Sequence, residues 1–172
     1  MTVLTEKADL LAVIGAVKSR FSPLSVSLMG LSQGGFVSGL AAADPGAGEI
    51  SKLVLFYPAV CIPDDARNGR MMFYRFDPNH IPDLLGRFPM PLGGEYARCV
   101  LDMDPYRELS GYGGPVLLVH GTEDPIVNVS YARKLKDVYP DCRYEELEGA
   151  GHGFTDYFDA WACDALKDFM KL

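Results

Sequence analysis

The feature that most constrains this chain is a short apolar run that ends in a serine framed by glycines. Residues 26–29 read Val-Ser-Leu-Met, and Gly30-Leu31-Ser32-Gln33-Gly34 follows at once. This G-x-S-x-G pattern is typical of a strand that turns sharply into a helix and presents a serine hydroxyl at the turn. A serine hydroxyl is a weak nucleophile, so it needs a base and stabilising backbone amides nearby. Ser32 is therefore the candidate nucleophile, and a helix-capping serine is the alternative.

A candidate acid follows a second strand-like run. Residues 115–121 are almost continuously apolar, which is typical of a buried parallel strand, and Thr-Glu-Asp-Pro follows them. Asp124 is preferred to Glu123 because Asp-Pro fixes the backbone at the start of a turn. The alternative role for Asp124 is to cap the helix predicted to begin near Asn128.

A candidate base lies in the glycine-rich loop after the next strand-like run, at residues 143–147. That loop presents His152. Reactive groups of open α/β sheets gather at the carboxyl ends of the strands, and Ser32, Asp124 and His152 all take such positions. Of the other histidines, His120 is expected to pack or to form a hydrogen bond, and His80 to lie on the surface or in a lid.

The remaining pattern predicts one α/β domain over residues 1–172, with four parallel strands and flanking helices. Apolar spacing predicts a first helix over residues 3–20, and a closing helix is expected from Asp156 to Lys171. Residues 61–112 form an irregular insertion between the second and third strands, rich in Pro, Gly, Asp and aromatic residues. Because so long a connection in a compact domain is usually functional, we expect a lid with its own packing.

Charge and cysteine content exclude several classes of protein. The 23 acidic and 16 basic residues give a net charge of −7, which argues against nucleic-acid and anionic membrane partners. The sequence lacks a signal-peptide pattern and an apolar stretch of the ~18 residues that cross a bilayer, so a cytoplasmic location is expected. Four cysteines without metal-ligand spacing predict buried free thiols, with no metal and no cofactor.

Four segments together resemble the bacterial cinnamoyl (feruloyl) esterase branch of the α/β-hydrolases. These are the serine turn and residues 77–83, 120–124 and 148–152. The resemblance covers essentially the whole chain and implies an α/β-hydrolase fold that cleaves small acyl or aryl esters through an acyl-enzyme. A thioesterase or a serine peptidase is the alternative, since both use the same three side chains.

The resemblance also implies a substrate-binding set. In that family an aspartate, a glutamine and a tyrosine of the lid bind a phenolic ring, and Asp65 and Tyr96 match the first and the last. Met72 stands at the glutamine position. A hydroxycinnamoyl substrate is therefore the finer expectation, with a solvated acid and a packed lid ring as the alternative roles of Asp65 and Tyr96.

One departure from the family lies at the N-terminus. Its members carry further strands and an HG-type loop before the helix that here begins at Met1, so we expect an incomplete hydrolase fold with residues 25–29 as an apolar edge strand. The backbone amide of Gln33 then supplies one oxyanion donor. An inactive fragment or an interaction module that pairs through this edge is the rival hypothesis, and a homodimer stays open.

Overall fold

The core of the molecule is a four-stranded parallel sheet. The computed structural model describes residues 1–87, 91–155 and 157–171. The sheet strands, in chain order and also in spatial order, are β1 (Ser27–Leu31), β2 (Lys52–Phe56), β3 (Val116–Gly121) and β4 (Cys142–Leu147). All four predicted strands are present, and the α/β architecture expected from the sequence is confirmed.

Both faces of the sheet are covered at its centre, which explains the continuous apolar character of β2 and β3. Leu53 and Leu55 belong to one buried cluster, while Val54 and Phe56 belong to a second cluster on the other side. The helices of the molecule are α1 (Val3–Phe21), α2 (Ser32–Ala42), α3 (Ile62–Arg67), α4 (Glu95–Arg98), α5 (Pro105–Leu109), α6 (Val129–Leu135) and α7 (Tyr157–Met170). Asp156, the expected start of the closing helix, lies outside the described residues.

Strand β1 is the outermost strand on its side of the sheet, in agreement with the edge strand expected at residues 25–29. Its Leu28 and Gly30 are buried, whereas Met29 and Leu31 alternate with them and are 44% and 45% exposed. Successive side chains of a strand point to opposite faces, so one face of β1 is packed and the other is open.

The insertion over residues 61–112 is more regular than its composition suggested. Besides α3, α4 and α5, it contains two short antiparallel hairpins, with strands at Arg70–Met71, Tyr74–Arg75, Leu84–Leu85 and Leu92–Gly93. Met71, Leu85 and Tyr96 are buried and join the main apolar cluster. The insertion is thus packed onto the sheet domain, while its role as a lid stays a prediction.

The prediction of buried free thiols is correct in part. All four cysteines are unpaired, but of the four only Cys61 is buried. Cys99 and Cys142 are half-buried, and Cys163 is exposed. None of the described helices combines the length and the apolar character needed to span a membrane.

Candidate active site

Ser32 lies at a strained turn between β1 and α2. It is the first residue of α2, and its φ of 50° is in the left-handed region that residues other than glycine rarely adopt. The turn closes because Gly30 lies against the carbonyl group of Gly34 and the hydroxyl of Ser38, where a Cβ atom would collide. The glycine before the serine is therefore a steric requirement of this turn.

The three side chains singled out from the sequence lie in one hydrogen-bonded chain. Nε2 of His152 is 2.9 Å from Oγ of Ser32, and Nδ1 of His152 is 2.7 Å from Oδ2 of Asp124. A carboxylate can only accept, so the imidazole donates from Nδ1 and its Nε2 accepts the serine proton. The carboxylate of Asp124 is fully buried, and the imidazole is 15% exposed. This is the geometry that an activated serine requires.

The backbone after β3 fixes the carboxylate of Asp124. Its Oδ1 accepts hydrogen bonds from the amides of Ile126 and Val127, both at 2.8 Å, which leaves Oδ2 for His152. The alternative roles considered from the sequence do not hold. Asn128, not Asp124, caps α6, and Glu123 is exposed.

His120 lies beneath this carboxylate and is completely buried. Its Nε2 donates to the carbonyl oxygen of Val127 at 2.8 Å and is 3.4 Å from Oδ2 of Asp124. The other ring nitrogen, Nδ1, has no hydrogen-bond partner. Burial lowers the pKa of His120, so its imidazole is neutral and serves as a hydrogen-bonding residue. The sequence predicted this role, but not the contact with the candidate acid.

A pH dependence of stability follows from the buried His120. The pKa of His120 in the unfolded chain is about 6.5, and above that pH its imidazole is neutral in both the folded and the unfolded chain. Below that pH the imidazole binds a proton in the unfolded chain more readily than in the folded chain. We therefore expect the free energy of unfolding to fall as the pH drops from 7 to 5.5, by up to about 1.4 kcal/mol per pH unit. Urea unfolding measures this slope.

The matched variants for that measurement are His120→Gln and His80→Gln. Glutamine can keep the hydrogen bond to Val127 but does not titrate, so we expect His120→Gln to flatten the slope. His80 is exposed and is the control, so His80→Gln should keep the slope. An unchanged slope in His120→Gln would assign the pH dependence to other groups.

Two aromatic residues not singled out from the sequence pack against the candidate base. The ring of Tyr57 meets the imidazole of His152 edge-on, with the ring centres 4.7 Å apart, and Phe154 packs against Tyr57 at the same distance. Tyr57 follows β2 with a φ of 38°, a left-handed conformation. No sequence motif marks this contact, because it joins residues that are 95 positions apart.

A cleft of about 500 Å³ opens at Ser32 and runs along the insertion. Asp65, Met72 and Tyr96, the three residues assigned to substrate binding by resemblance, all line it. Asp65 is already paired, because Arg70 donates to its Oδ1 from Nη2 at 2.5 Å and from Nε at 3.2 Å. Met72 is 60% exposed at the tip of a hairpin. No sequence motif marks the pairing of Asp65 with Arg70.

Gln33 follows Ser32 and is held from two sides. Its Nε2 donates to Oε2 of Glu6 at 2.6 Å, and its Oε1 accepts a hydrogen bond from the hydroxyl of Tyr96. The backbone amide of Gln33 lies in the first turn of α2, where amides have no acceptor within the helix. This amide is thus free to meet negative charge that develops beside Ser32. Within the described ranges, no group of three or more His, Cys, Asp or Glu residues could hold a metal ion.

The fold resembles that of known esterases and lipases. Est1E from Butyrivibrio proteoclasticus superposes with a TM-score of 0.90 at 30% sequence identity, over 99% of this chain and 70% of Est1E. A second structure, of Est1E with ferulic acid bound, gives a TM-score of 0.91 at 30% identity, over 99% and 68% of the two chains. A monoacylglycerol lipase from Paleococcus ferrophilus shares the fold at 18% identity, with a TM-score of 0.69 over 99% of this chain and 76% of the lipase. No family model matches the sequence, and no curated protein matches it.

Proposed function

We propose that this chain hydrolyses carboxylic esters of small acyl or aryl groups through an acyl-enzyme on Ser32. The chain belongs to the α/β-hydrolase superfamily of esterases and lipases. The observation that carries the proposal is the hydrogen-bonded chain from Ser32 through His152 to Asp124 at the wall of an open cleft. The similarity to Est1E, at 30% sequence identity, supports ester hydrolysis as the reaction class.

The proposed reaction has two symmetrical halves. Oγ of Ser32 attacks the ester carbonyl carbon as its proton passes to Nε2 of His152, and the amide of Gln33 donates to the oxyanion. The tetrahedral intermediate expels the alcohol, which takes the proton from His152 and leaves the acyl group on Ser32. Water then attacks the acyl-enzyme in the same way and releases the acid. The carboxylate of Asp124 stabilises the imidazolium in both halves.

The shape and polarity of the cleft favour a compact substrate with one polar end. Its walls include the apolar side chains of Ile62, Met71 and Val127, and its polar groups beyond the serine include the Asp65–Arg70 pair. A hydroxycinnamoyl ester fits this description, since its ring is apolar and its phenol can donate to a carboxylate oxygen of Asp65. The Est1E structure with ferulic acid bound supports this choice of substrate class.

A fluorophosphonate probe tests the nucleophile directly. We expect one label per chain, located on Ser32 by peptide mass spectrometry, because only an activated serine reacts with the probe. Ser130, on the exposed side of α6, is the internal control and should carry none. No label, or a label on another serine, would contradict the proposal.

A panel of esters tests the substrate class. We expect turnover of p-nitrophenyl acetate and a higher kcat/KM for methyl ferulate than for methyl butyrate, because of these two only ferulate carries a phenol that can donate to Asp65. Equal values for the two methyl esters would remove the hydroxycinnamoyl assignment and leave the esterase assignment intact. A thioester and a peptide anilide complete the panel, and faster cleavage of either would replace the ester as the substrate.

A further inference from the structure

We propose that Tyr96 is a positioning residue for the oxyanion site, which it holds in place through the side chain of Gln33, with Glu6 as the second anchor. This inference rests on the proposed function, because it assigns a role to the amide that meets the oxyanion. It gives the Tyr96 hydroxyl a task other than contact with the substrate, although the Tyr96 ring still lines the cleft.

The hydrogen bonds define the arrangement without ambiguity. A carboxylate only accepts, so the atom of Gln33 that faces Glu6 is its Nε2 donor, at 2.6 Å. The Gln33 side-chain oxygen then faces Tyr96 and accepts from its hydroxyl. Both ends of one planar carboxamide are therefore engaged by partners on opposite sides, and the side chain cannot rotate without breaking a bond.

The two anchors come from distant parts of the chain. Glu6 lies in the first turn of α1, and Tyr96 lies in α4 of the insertion. Gln33 therefore joins α1, the serine turn and the insertion through two bonds that span 27 and 63 residues. The backbone amide of Gln33, next to Ser32, is restrained as well, because the side chain of the same residue is held by two hydrogen bonds.

Burial strengthens the bond from Tyr96. The side chain is 4% exposed, and desolvation raises the pKa of Tyr96, so its hydroxyl stays protonated and remains a donor at neutral pH. Loss of this hydroxyl would leave the oxygen of the half-buried Gln33 side chain without its donor, which is costly where water is partly excluded. A hydroxyl that donates to Gln33 can still accept a hydrogen bond from a substrate phenol, but it cannot donate one to it.

The experiment compares Tyr96→Phe with the unaltered chain on two esters, p-nitrophenyl acetate and methyl ferulate. Loss of one oxyanion donor costs about 10²–10³-fold, so we expect a misaligned donor to lower kcat by about 10-fold on both esters, with KM within about twofold. A trifluoromethyl ketone, which forms an oxyanion on the serine, should bind Tyr96→Phe about 10-fold more weakly. Tyr106→Phe, in α5 outside the cleft, is the matched control and should match the unaltered chain.

Three further single variants and one double variant separate positioning from general stability. Glu6→Gln keeps an acceptor for Gln33 and should retain kcat, whereas Glu6→Ala should lose about as much as Tyr96→Phe. Gln33→Met removes both side-chain bonds and keeps the backbone amide, so the additional change Tyr96→Phe should have little effect on kcat in that background. Thermal unfolding of each variant shows that the chain is folded.

The possible results distinguish a failure of this inference from a failure of the proposed function. A rise in KM for methyl ferulate alone, with kcat unchanged, would assign Tyr96 to substrate binding and overturn this inference. Unchanged kinetics in Tyr96→Phe, or equal losses in Glu6→Gln and Glu6→Ala, would also overturn it while the esterase proposal stands. An unaltered chain that cleaves no ester would overturn the proposed function, and this inference with it.

Discussion

Ser32→Ala should lower kcat for ester hydrolysis by at least about 10⁴-fold, because it removes the atom that attacks the carbonyl carbon. Nε2 of His152 lies 2.9 Å from Oγ of Ser32 and can activate it. Initial rates with p-nitrophenyl acetate measure the loss. Thermal unfolding should change little, since alanine keeps the backbone of the turn and removes only one half-buried hydroxyl.

The control for this change is Ser130→Ala, which alters an exposed serine of α6 and should leave kcat within about twofold. A Ser32→Ala chain that keeps more than a few per cent of the activity would show that another group attacks the ester, or that a contaminant carries the activity. The fluorophosphonate label separates these cases, because a second nucleophile in this chain would be labelled elsewhere.

The sequence predicted those parts of the molecule that depend on local pattern. Strands β2 and β3 are continuous apolar runs because both of their faces are covered, and that pattern is visible without a structure. The turn at Ser32 is equally local, since a Cβ atom two positions before the serine, at Gly30, would collide with the turn. Strand ends in an α/β sheet also share one edge, which is why the chain order of Ser32, Asp124 and His152 sufficed to bring them together.

The sequence could not predict contacts that join distant surfaces of the fold. Glu6 faces Gln33 only because α1 packs beside α2. In the sequence, Glu6 looks the same as any acidic residue in the first turn of a helix that only interacts favourably with the helix dipole. Arg70 and Tyr57 likewise carry no motif. The insertion was expected to be irregular because its helices and hairpins have few residues each, too few for a hydrophobic period to show.

Among these contacts, those of Asp124 allow a sharp prediction about the imidazole tautomer. Oδ1 is occupied by two backbone amides, so in Asp124→Asn the side-chain oxygen stays there and the amide nitrogen takes the place of Oδ2. That nitrogen is a hydrogen-bond donor, so it would donate to Nδ1 of His152. The imidazole would then carry its proton on Nε2, where it cannot accept the proton of Ser32.

We accordingly expect Asp124→Asn to lower kcat by about 10⁴-fold with a smaller effect on KM, measured with p-nitrophenyl acetate. Fluorophosphonate labelling of Ser32 should slow in parallel, since it needs the same activated hydroxyl. Glu123→Gln is the matched control, because it removes an exposed carboxylate one residue away and should leave kcat within about twofold. A loss of less than about 10-fold in Asp124→Asn would mean that the tautomer of His152 does not depend on Asp124, and the hydrogen bond at 2.7 Å would then be a structural contact only.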